Sequence, residues 1–462
     1  MKTLIFSRTA KGRLSAAGGH PPSRPEPAAP RNRAAISNFP KTAKIAKFRW
    51  FSKIFGHSDP SFLFPVSFAT LVIPVLFSLA FLFFPGSPLP ASLKPTSLSG
   101  DRQHIVYFEG TASELEIYKI FGRETGPTVM ILGGIQGDEP GGFMSADLYV
   151  DLALKKGNLI VVPRANFKSI ISFARGVDGD MNRKFEAVKT SDPDRERVEI
   201  IKNLMAESDL FLNLHDGSGF FRNSWESDMA NPNRYGQCII ADAEVYEHEG
   251  SGKVLHLGRD ARRVVEDVNK EIREENYKFR FANHDTGSAT SRHKEQRKSA
   301  TYYALTRLGI PAFAIETSKD LPSLEMKILQ HNLAINAFLN LYGVEIEHPR
   351  IHTEPPSLRF MVITVNGGAP LAAAEGETLF VARGDVVEVS YVGANYERGL
   401  SVDFQNLGSL NDLRTPLKID SPTTIVARKD NQNIGSVKVA LLKEGSGSIP
   451  RLERAGGGFL AG

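Results

Sequence analysis

Thr128-Val129-Met130-Ile131-Leu132-Gly133-Gly134-Ile135-Gln136-Gly137-Asp138-Glu139 opens as an apolar run and closes as a polar turn. Two later segments have the same build: 210–214 runs into His215-Asp216-Gly217, and 312–315 runs into Glu316. A fourth polar cluster, Asp180-Met181-Asn182-Arg183, lies between them. The apolar runs read as strands. In open α/β sheets, sites form where strands reach their carboxyl ends; three of the four segments sit there, and the four together are the candidate site.

Working outward, 462 residues leave room for two or three domains. Over 104–348, strand-like runs (114–120, 128–133, 159–163, 210–214, 238–241, 312–315) alternate with helical patterns (142–155, 194–206, 253–273, 300–308, 323–341). That alternation predicts an α/β domain, a mixed and mostly parallel sheet with helices on both faces. Over 356–445 the pattern shifts to short runs between Gly, Asn and Asp turns, at 360–365, 378–381, 386–392, 401–404, 424–427 and 436–442. This predicts a small all-β sandwich domain. Residues 87–103, rich in Gly, Ser and Pro, read as a linker, and 446–462 as a flexible tail.

The net charge of +4 is unevenly placed. Residues 1–60 hold 12 Lys and Arg against two acids, Glu26 and Asp59, which leaves 44 basic and 50 acidic residues elsewhere. The basic excess belongs to a tail, 1–58, that reads as disordered and cytoplasmic, and gives no reason to expect a nucleic-acid partner. Residues 60–93 contain no charged side chain. Their centre, 62–84, is long enough to cross a hydrocarbon core of about 30 Å as a helix. We read 60–86 as one N-terminal transmembrane helix, an uncleaved signal-anchor in the inner (cytoplasmic) membrane. The basic residues before it place the rest of the chain in the periplasm. A cleaved signal peptide is the alternative. Cys238 is the only cysteine, which excludes an intrachain disulfide and a cysteine-based zinc site.

A catalytic zinc takes three protein ligands and leaves one position for water. Gln136 and Glu139 stand three apart in one turn and can face one ion. His215 would complete the set from a neighbouring strand. Glu316 would be the base that takes a proton from water and returns it to the leaving amine.

At these residues the chain resembles the zinc carboxypeptidase (funnelin) family. That family uses His-x-x-Glu, a distant His, an Asn-Arg pair for the substrate's terminal carboxylate, a second Arg for the oxyanion and a late Glu base. The segments occur in family order over about 128–340. The resemblance implies one zinc ion on Gln136, Glu139 and His215, a carboxylate clamp of Asn182 and Arg183, Arg175 as oxyanion donor, and Glu316 as base. Gln136 departs from the family's His. A subgroup shares that Gln: the cell-shape-determining peptidoglycan DL-carboxypeptidases. They are similar also in Gln-Gly-Asp-Glu-Pro-Gly-Gly, Asp-x-Asn-Arg, His-Asp-Gly-Ser-Gly-Phe and a following β domain. The resemblance implies periplasmic trimming of the peptidoglycan stem peptide from tripeptide to dipeptide, with release of meso-diaminopimelate and an effect on cell shape. A carboxamide oxygen is a poorer zinc donor than imidazole. Asp180, whose family counterpart holds the first ligand, would accept a hydrogen bond from the Gln136 NH2 and make its oxygen more electron-rich. The β domain is expected to meet cell-wall proteins.

Each residue alone has a plainer reading: Gln136 and Asn182 as turn residues, Arg175 and Arg183 as surface charges, Glu316 as a helix-entry acid. Two other functions stay open. One is a catalytically inactive, cell-wall-binding pseudo-peptidase, with Gln136 as the mark of decay. The other is a zinc deacylase of N-acyl amino acids on the same scaffold. The joint presence of base, oxyanion Arg and clamp speaks against the first, and export with an added β domain against the second. Residues 217–221 read as a pocket wall, Trp225, Asn231 and Asn233 as loop residues, and 292–298 as a solvated basic run. His284 and His293 stay outside the ligand set.

Overall fold

The computed structural model describes residues 96–98, 102–347, 354–443 and 450–453. The expected transmembrane helix 60–86 and basic tail 1–58 lie outside them. Among the described residues no helix is long and apolar enough to cross a membrane.

One ten-stranded sheet organises the larger part. Its strands are β1 (Thr96–Leu98), β2 (Arg102–Tyr107), β3 (Leu115–Phe121), β4 (Glu124–Leu132), β5 (Ala153–Val162), β6 (Leu210–Gly217), β7 (Cys238–Ala241), β8 (Arg280–Asn283), β9 (Ala312–Ser318) and β10 (Glu345–Glu347). The order is β1-β2-β3-β5-β4-β6-β9-β7-β8, with β10 on β5. The central strands β5, β4, β6 and β9 are parallel. The pairs β1–β2, β2–β3, β3–β5, β5–β10 and β9–β7 are antiparallel. The sheet is thus mixed, with its parallel part at the centre.

Successive side chains of a strand point to opposite faces, so a strand apolar at every position needs cover on both sides. β4 shows this: Val129 and Ile131 join one buried cluster, Met130 and Leu132 the other. The first face is covered by α1 (Pro140–Tyr149), α4 (Leu257–Glu271) and α6 (Leu324–Tyr342), the second by α3 (Arg195–Ala206) and α5 (Ala300–Leu308). The short α2 (Phe167–Ile171) follows β5.

Three boundaries differ from the sequence expectation. The helix expected over 142–155 ends at Tyr149, and Ala153 already begins β5. Ala153-Leu154-Lys155-Lys156 are good helix formers, but pairing with β10 and β4 overrides that preference. The linker expected over 87–103 includes β1 and the start of β2, which pair at the sheet edge. The tail expected over 446–462 includes a strand, Arg451–Glu453.

The β-rich part is a sandwich of two sheets. β11 (Leu358–Val365), β12 (Leu371–Ala373), β14 (Val386–Ala394) and β16 (Leu417–Lys418) form one; β13 (Thr378–Val381), β15 (Leu400–Phe404), β17 (Thr423–Lys429), β18 (Gln432–Leu441) and β19 (Arg451–Glu453) form the other. Met361, Ile363, Val389, Val402, Phe404 and Val437 meet between them as one buried cluster. Both parts belong to one compact unit. A buried ion cluster joins them. Arg164, just after β5, donates to Asp147 of α1 at 2.9 and 3.2 Å and also to Asp430 after β17. Arg398, after β14, donates to the same Asp147 at 2.7 Å.

Candidate active site

The parallel pairing of β6 and β9 sets His215 directly beside Glu316. Leu214 and Ile315 turn into the core on one face, so His215 and Glu316 turn out on the other. β4 ends one strand away and leads through Gly133 and Gly134 to Gln136. Gly137 packs so tightly on α2 that an added Cβ would lie 2.0 Å from the Ser169 carbonyl carbon; only glycine fits there. Pro140 then starts α1, and Glu139 stands at its N-terminus without capping it, which leaves its carboxylate to face the site.

Three donor atoms converge. His215 Nδ1 lies 3.1 Å from Gln136 Oε1 and 2.8 Å from Glu139 Oε2. All three side chains are buried. Ligand atoms about 2.0–2.2 Å from one tetrahedral ion lie about 3.3–3.6 Å apart, so small outward shifts of His215 Nδ1 and the two oxygens 3.1 and 2.8 Å from it would make room for a single zinc. Among the described residues no group of three or more His, Cys, Asp and Glu gathers for a metal. This site reaches three donors through the Gln136 amide. The charge balance also suits a cation. Glu316 is pushed up to about 8, first by burial and then by the Glu139 and Asp216 carboxylates nearby. Burial works against the His215 imidazolium, but the Glu139 carboxylate outweighs it and raises the group. A divalent cation at the triangle would offset the crowding of these carboxylates.

Asp180 accepts from Gln136 Nε2 at 2.9 and 3.0 Å, which turns Oε1 towards His215. It also accepts the Asn182 N–H at 3.0 Å and so caps the turn Met181–Arg183. Burial opposes its charge, yet Arg175 and the Gln136 amide hold its carboxyl below the usual range. Arg175 reaches Asp180 at 3.0 Å and Glu139 at 3.3 Å. Asn182 spends Oδ1 on the Ala300 N–H (3.0 Å), so Nδ2, 3.4 Å from His215 Nε2, remains as its donor towards the cleft. Arg183 lines the same cleft, whose volume is about 280 Å³. The structure thus brings together Gln136, Glu139, Arg175, Asp180, Asn182, Arg183, His215 and Glu316.

Residues to which the sequence assigns no chemical role are there as well. Asp216 is buried and accepts from Gly141 N (2.7 Å) and Thr317 Oγ1 (2.6 Å), with His331 Nε2 at 3.3 Å. It follows His215 in the chain, binds two residues past Glu139 and one past Glu316, so one carboxylate ties together three elements of the site. An added Cβ on Gly141 would lie 2.4 Å from its Oδ1. Lys319 pairs with Asp138 at 2.6 Å on the cleft wall. Ser218, Tyr235, Asp242, His284, Gln296 and Thr301 also line the cleft. Asp242 follows a strand legible in the sequence, but that strand, β7, runs antiparallel to β9, so the strand-end rule does not place it in the cleft. Trp225 is exposed, and Asn231 is occupied with the carbonyls of Ser227 and Asp228.

Residues 105–363, over half of the chain, match the peptidase family described as the catalytic part of carboxypeptidases controlling helical cell shape. The chain belongs to this family. Among solved structures it is similar to tripeptide-bound cell shape determinant Csd4 from Helicobacter pylori, at 22% identity over 71% of this chain and 100% of that one, TM-score 0.47. The form of Csd4 with mDAP bound, described as a D,L-carboxypeptidase, gives 22% over 69% and 97%, TM-score 0.45. A succinylglutamate desuccinylase/aspartoacylase from Rhodobacter sphaeroides gives 15% over 73% and 95%, TM-score 0.36. No curated protein matches the chain.

Proposed function

We propose that the protein is a membrane-anchored, periplasmic zinc carboxypeptidase that trims peptidoglycan stem peptides from tripeptide to dipeptide and releases meso-diaminopimelate. The convergence of Gln136, Glu139 and His215 beside Glu316 carries the reading. Family membership supports the carboxypeptidase class, and the described substrates follow those named for Csd4, a tripeptide and mDAP.

Gln136 Oε1, Glu139 Oε2 and His215 Nδ1 would hold the zinc, which when bound polarises the scissile carbonyl and acidifies water. Asn182 and Arg183 hold the substrate's terminal carboxylate, where a planar guanidinium fork suits a planar anion. Arg175 donates to the negative charge that develops on the carbonyl oxygen. Glu316 takes a proton from the attacking water and delivers it to the leaving nitrogen. Mass spectrometry of purified muropeptides incubated with the protein tests the reading. A tripeptide-to-dipeptide loss that stops with chelator is expected, and intact tripeptide without chelator would refute it.

Arg183→Ala should lower kcat/KM by about 2–4 kcal/mol through loss of a charged contact to that carboxylate. A substrate amidated at its C-terminus should lose a similar amount with the wild type and little more with the variant. If the two losses add, Arg183 does not read the carboxylate.

The anchor is a proposal on the uncharged segment 60–93 and the basic residues before it. A reporter fused after Leu93 should work only when exported. Activity confined to the cytoplasm would overturn the topology, and a mature soluble form starting near residue 90 would show a cleaved signal.

A further inference from the structure

We propose that His331 and Gln330 of α6 are positioning residues: from behind the sheet they fix the ends of β6 and β9, and with them the proposed ligand His215 and the base Glu316. This rests on the metal-site reading and adds to it two residues that do not line the cleft.

The side of α6 that enters the core is apolar at Ile328, Ala334, Ile335, Phe338 and Leu339, yet Gln330, His331 and Asn332 are buried in its middle. A buried polar side chain costs stability unless it is hydrogen-bonded, so three in a row call for partners. Consecutive helix residues point about 100° apart, and these three meet different neighbours.

His331 meets Asp216. Leu214 and Ile315 turn to the face that α1 and α6 cover, and by strand alternation Asp216 and Thr317 turn the same way. The Asp216–Thr317 pair therefore backs the His215–Glu316 pair at the next step of the register. Thr317 Oγ1 donates to Asp216 Oδ1 at 2.6 Å, and Gly141 N donates to Oδ2 at 2.7 Å. Both donors belong to elements of the site itself. His331 Nε2, fully buried and 3.3 Å from Oδ1, comes from outside and ties the carboxylate to a helix of 19 residues. The Asp216 N–H donates to Glu139 Oε2 at 3.2 Å. Asp216 is thus joined, by the chain or by a hydrogen bond, to two of the three proposed ligands.

Gln330 meets Gln237. Gln237 Nε2 donates to Gln330 Oε1 and to Tyr277 O, and Gln237 Oε1 accepts from Ser318 N at 3.0 Å. Ser318 ends β9 two residues past Glu316, and Cys238, which follows Gln237, pairs with Glu316 across the sheet. Gln237 has a φ of 59°, in the left-handed region that is costly for a residue with a side chain. Such a conformation persists where the surroundings over-determine it, and the three bonds of its amide do so. Gln330 holds the end of β9 in this way, as His331 holds the end of β6. Asn332 gives the contrast: it is buried too, and among the described residues neither its Oδ1 nor its Nδ2 has a hydrogen-bond partner.

The test uses the purified full chain. Zinc affinity is read by competition with a chelator, kcat and KM are read separately on the stem tripeptide, and Tm is read alongside. His331→Leu should bind zinc about 10–100-fold more weakly, as loss of a residue that orients a ligand usually does. His331→Gln, whose amide nitrogen can take the place of Nε2, should restore most of that loss. Gln330→Met should keep its zinc, since β9 carries no ligand, and lose about 10–100-fold in kcat with KM little changed, because a misplaced base costs rate. Asn332→Leu should keep both affinity and kcat, whatever its Tm. A folded His331→Leu with wild-type affinity overturns the proposal, and so does an Asn332→Leu that loses as much as His331→Leu. Where His331→Leu does not fold, Gln330→Met decides: lost kcat with retained zinc supports the proposal, and wild-type kcat overturns it. A wild-type protein that binds no zinc sinks the metal-site reading itself, whereas wild-type binding with unchanged variants sinks this inference alone.

Discussion

Glu316→Ala is expected to bind zinc as the wild type does while losing about 10²–10⁴-fold in turnover, the usual worth of a positioned proton carrier. The separation follows from the geometry. Glu316 lies beside His215 across one strand pairing, while the donor triangle is made by Gln136, Glu139 and His215 alone. Gln136→Ala should do the reverse of Glu316→Ala and lose the metal first, because two protein donors remain. Asp180→Ala should weaken metal binding by about 10–100-fold, as loss of a residue that orients a ligand usually does. The two hydrogen bonds from Gln136 Nε2 to Asp180 are the contacts it would break. Gln136→His should keep or tighten zinc, since imidazole is the better donor. Its rate need not rise, because a ring occupies different space against Glu316. Metal content set beside kcat/KM for the four variants decides the assignment. A Gln136→Ala protein with full zinc and normal turnover would remove Gln136 from the site.

The parts of this site legible in the sequence share one property: they end strongly apolar strands. β4, β6 and β9 are buried on both faces, so their runs stand out, and the polar residue that closes each is conspicuous. Asp180, Asn182 and Arg183 form a short turn with no such frame, and the family motif made them readable. Asp216 and Asp242 escaped for different reasons. Asp216 sits inside a motif but acts through Gly141, Thr317 and His331, contacts between residues far apart in the chain. Asp242 follows β7, which runs antiparallel to β9, and its neighbours His284, Thr286 and Thr301 arrive from later segments. The edge strands β1 and β8, and β2 next to the edge, are short and carry a weaker apolar pattern than the central strands.

Arg164→Ala should cost about 3–5 kcal/mol of stability, the usual penalty for removing one partner from a buried ion cluster. Arg164 is 3% exposed, between Asp430 at 2% and Asp147 at 6%. Burial alone would raise the Asp147 carboxyl, but Arg164, Lys429 and Arg398 hold it well below the usual range. Without Arg164, both carboxylates stay buried with less compensation: Lys429 and Arg398 for Asp147, and Lys429 for Asp430. Arg164→Lys should lose part of the same stability, because an ammonium cannot bond both carboxylates as a guanidinium fork does. The position joins the β sandwich to the catalytic sheet. Ala165 N donates to Gly133 O at 3.0 Å and Asn166 N to Gly134 O at 2.9 Å, and those glycines lead straight to Gln136. Loss of the cluster should therefore loosen the turn that presents Gln136, the proposed ligand, and on that proposal metal should be lost at a lower temperature than in the wild type. Thermal unfolding with and without zinc measures both effects, with Tm lowered by about 5–10 °C. An unchanged Tm in Arg164→Ala would mean that the ion cluster contributes nothing net and that the sandwich is held by its apolar contacts alone.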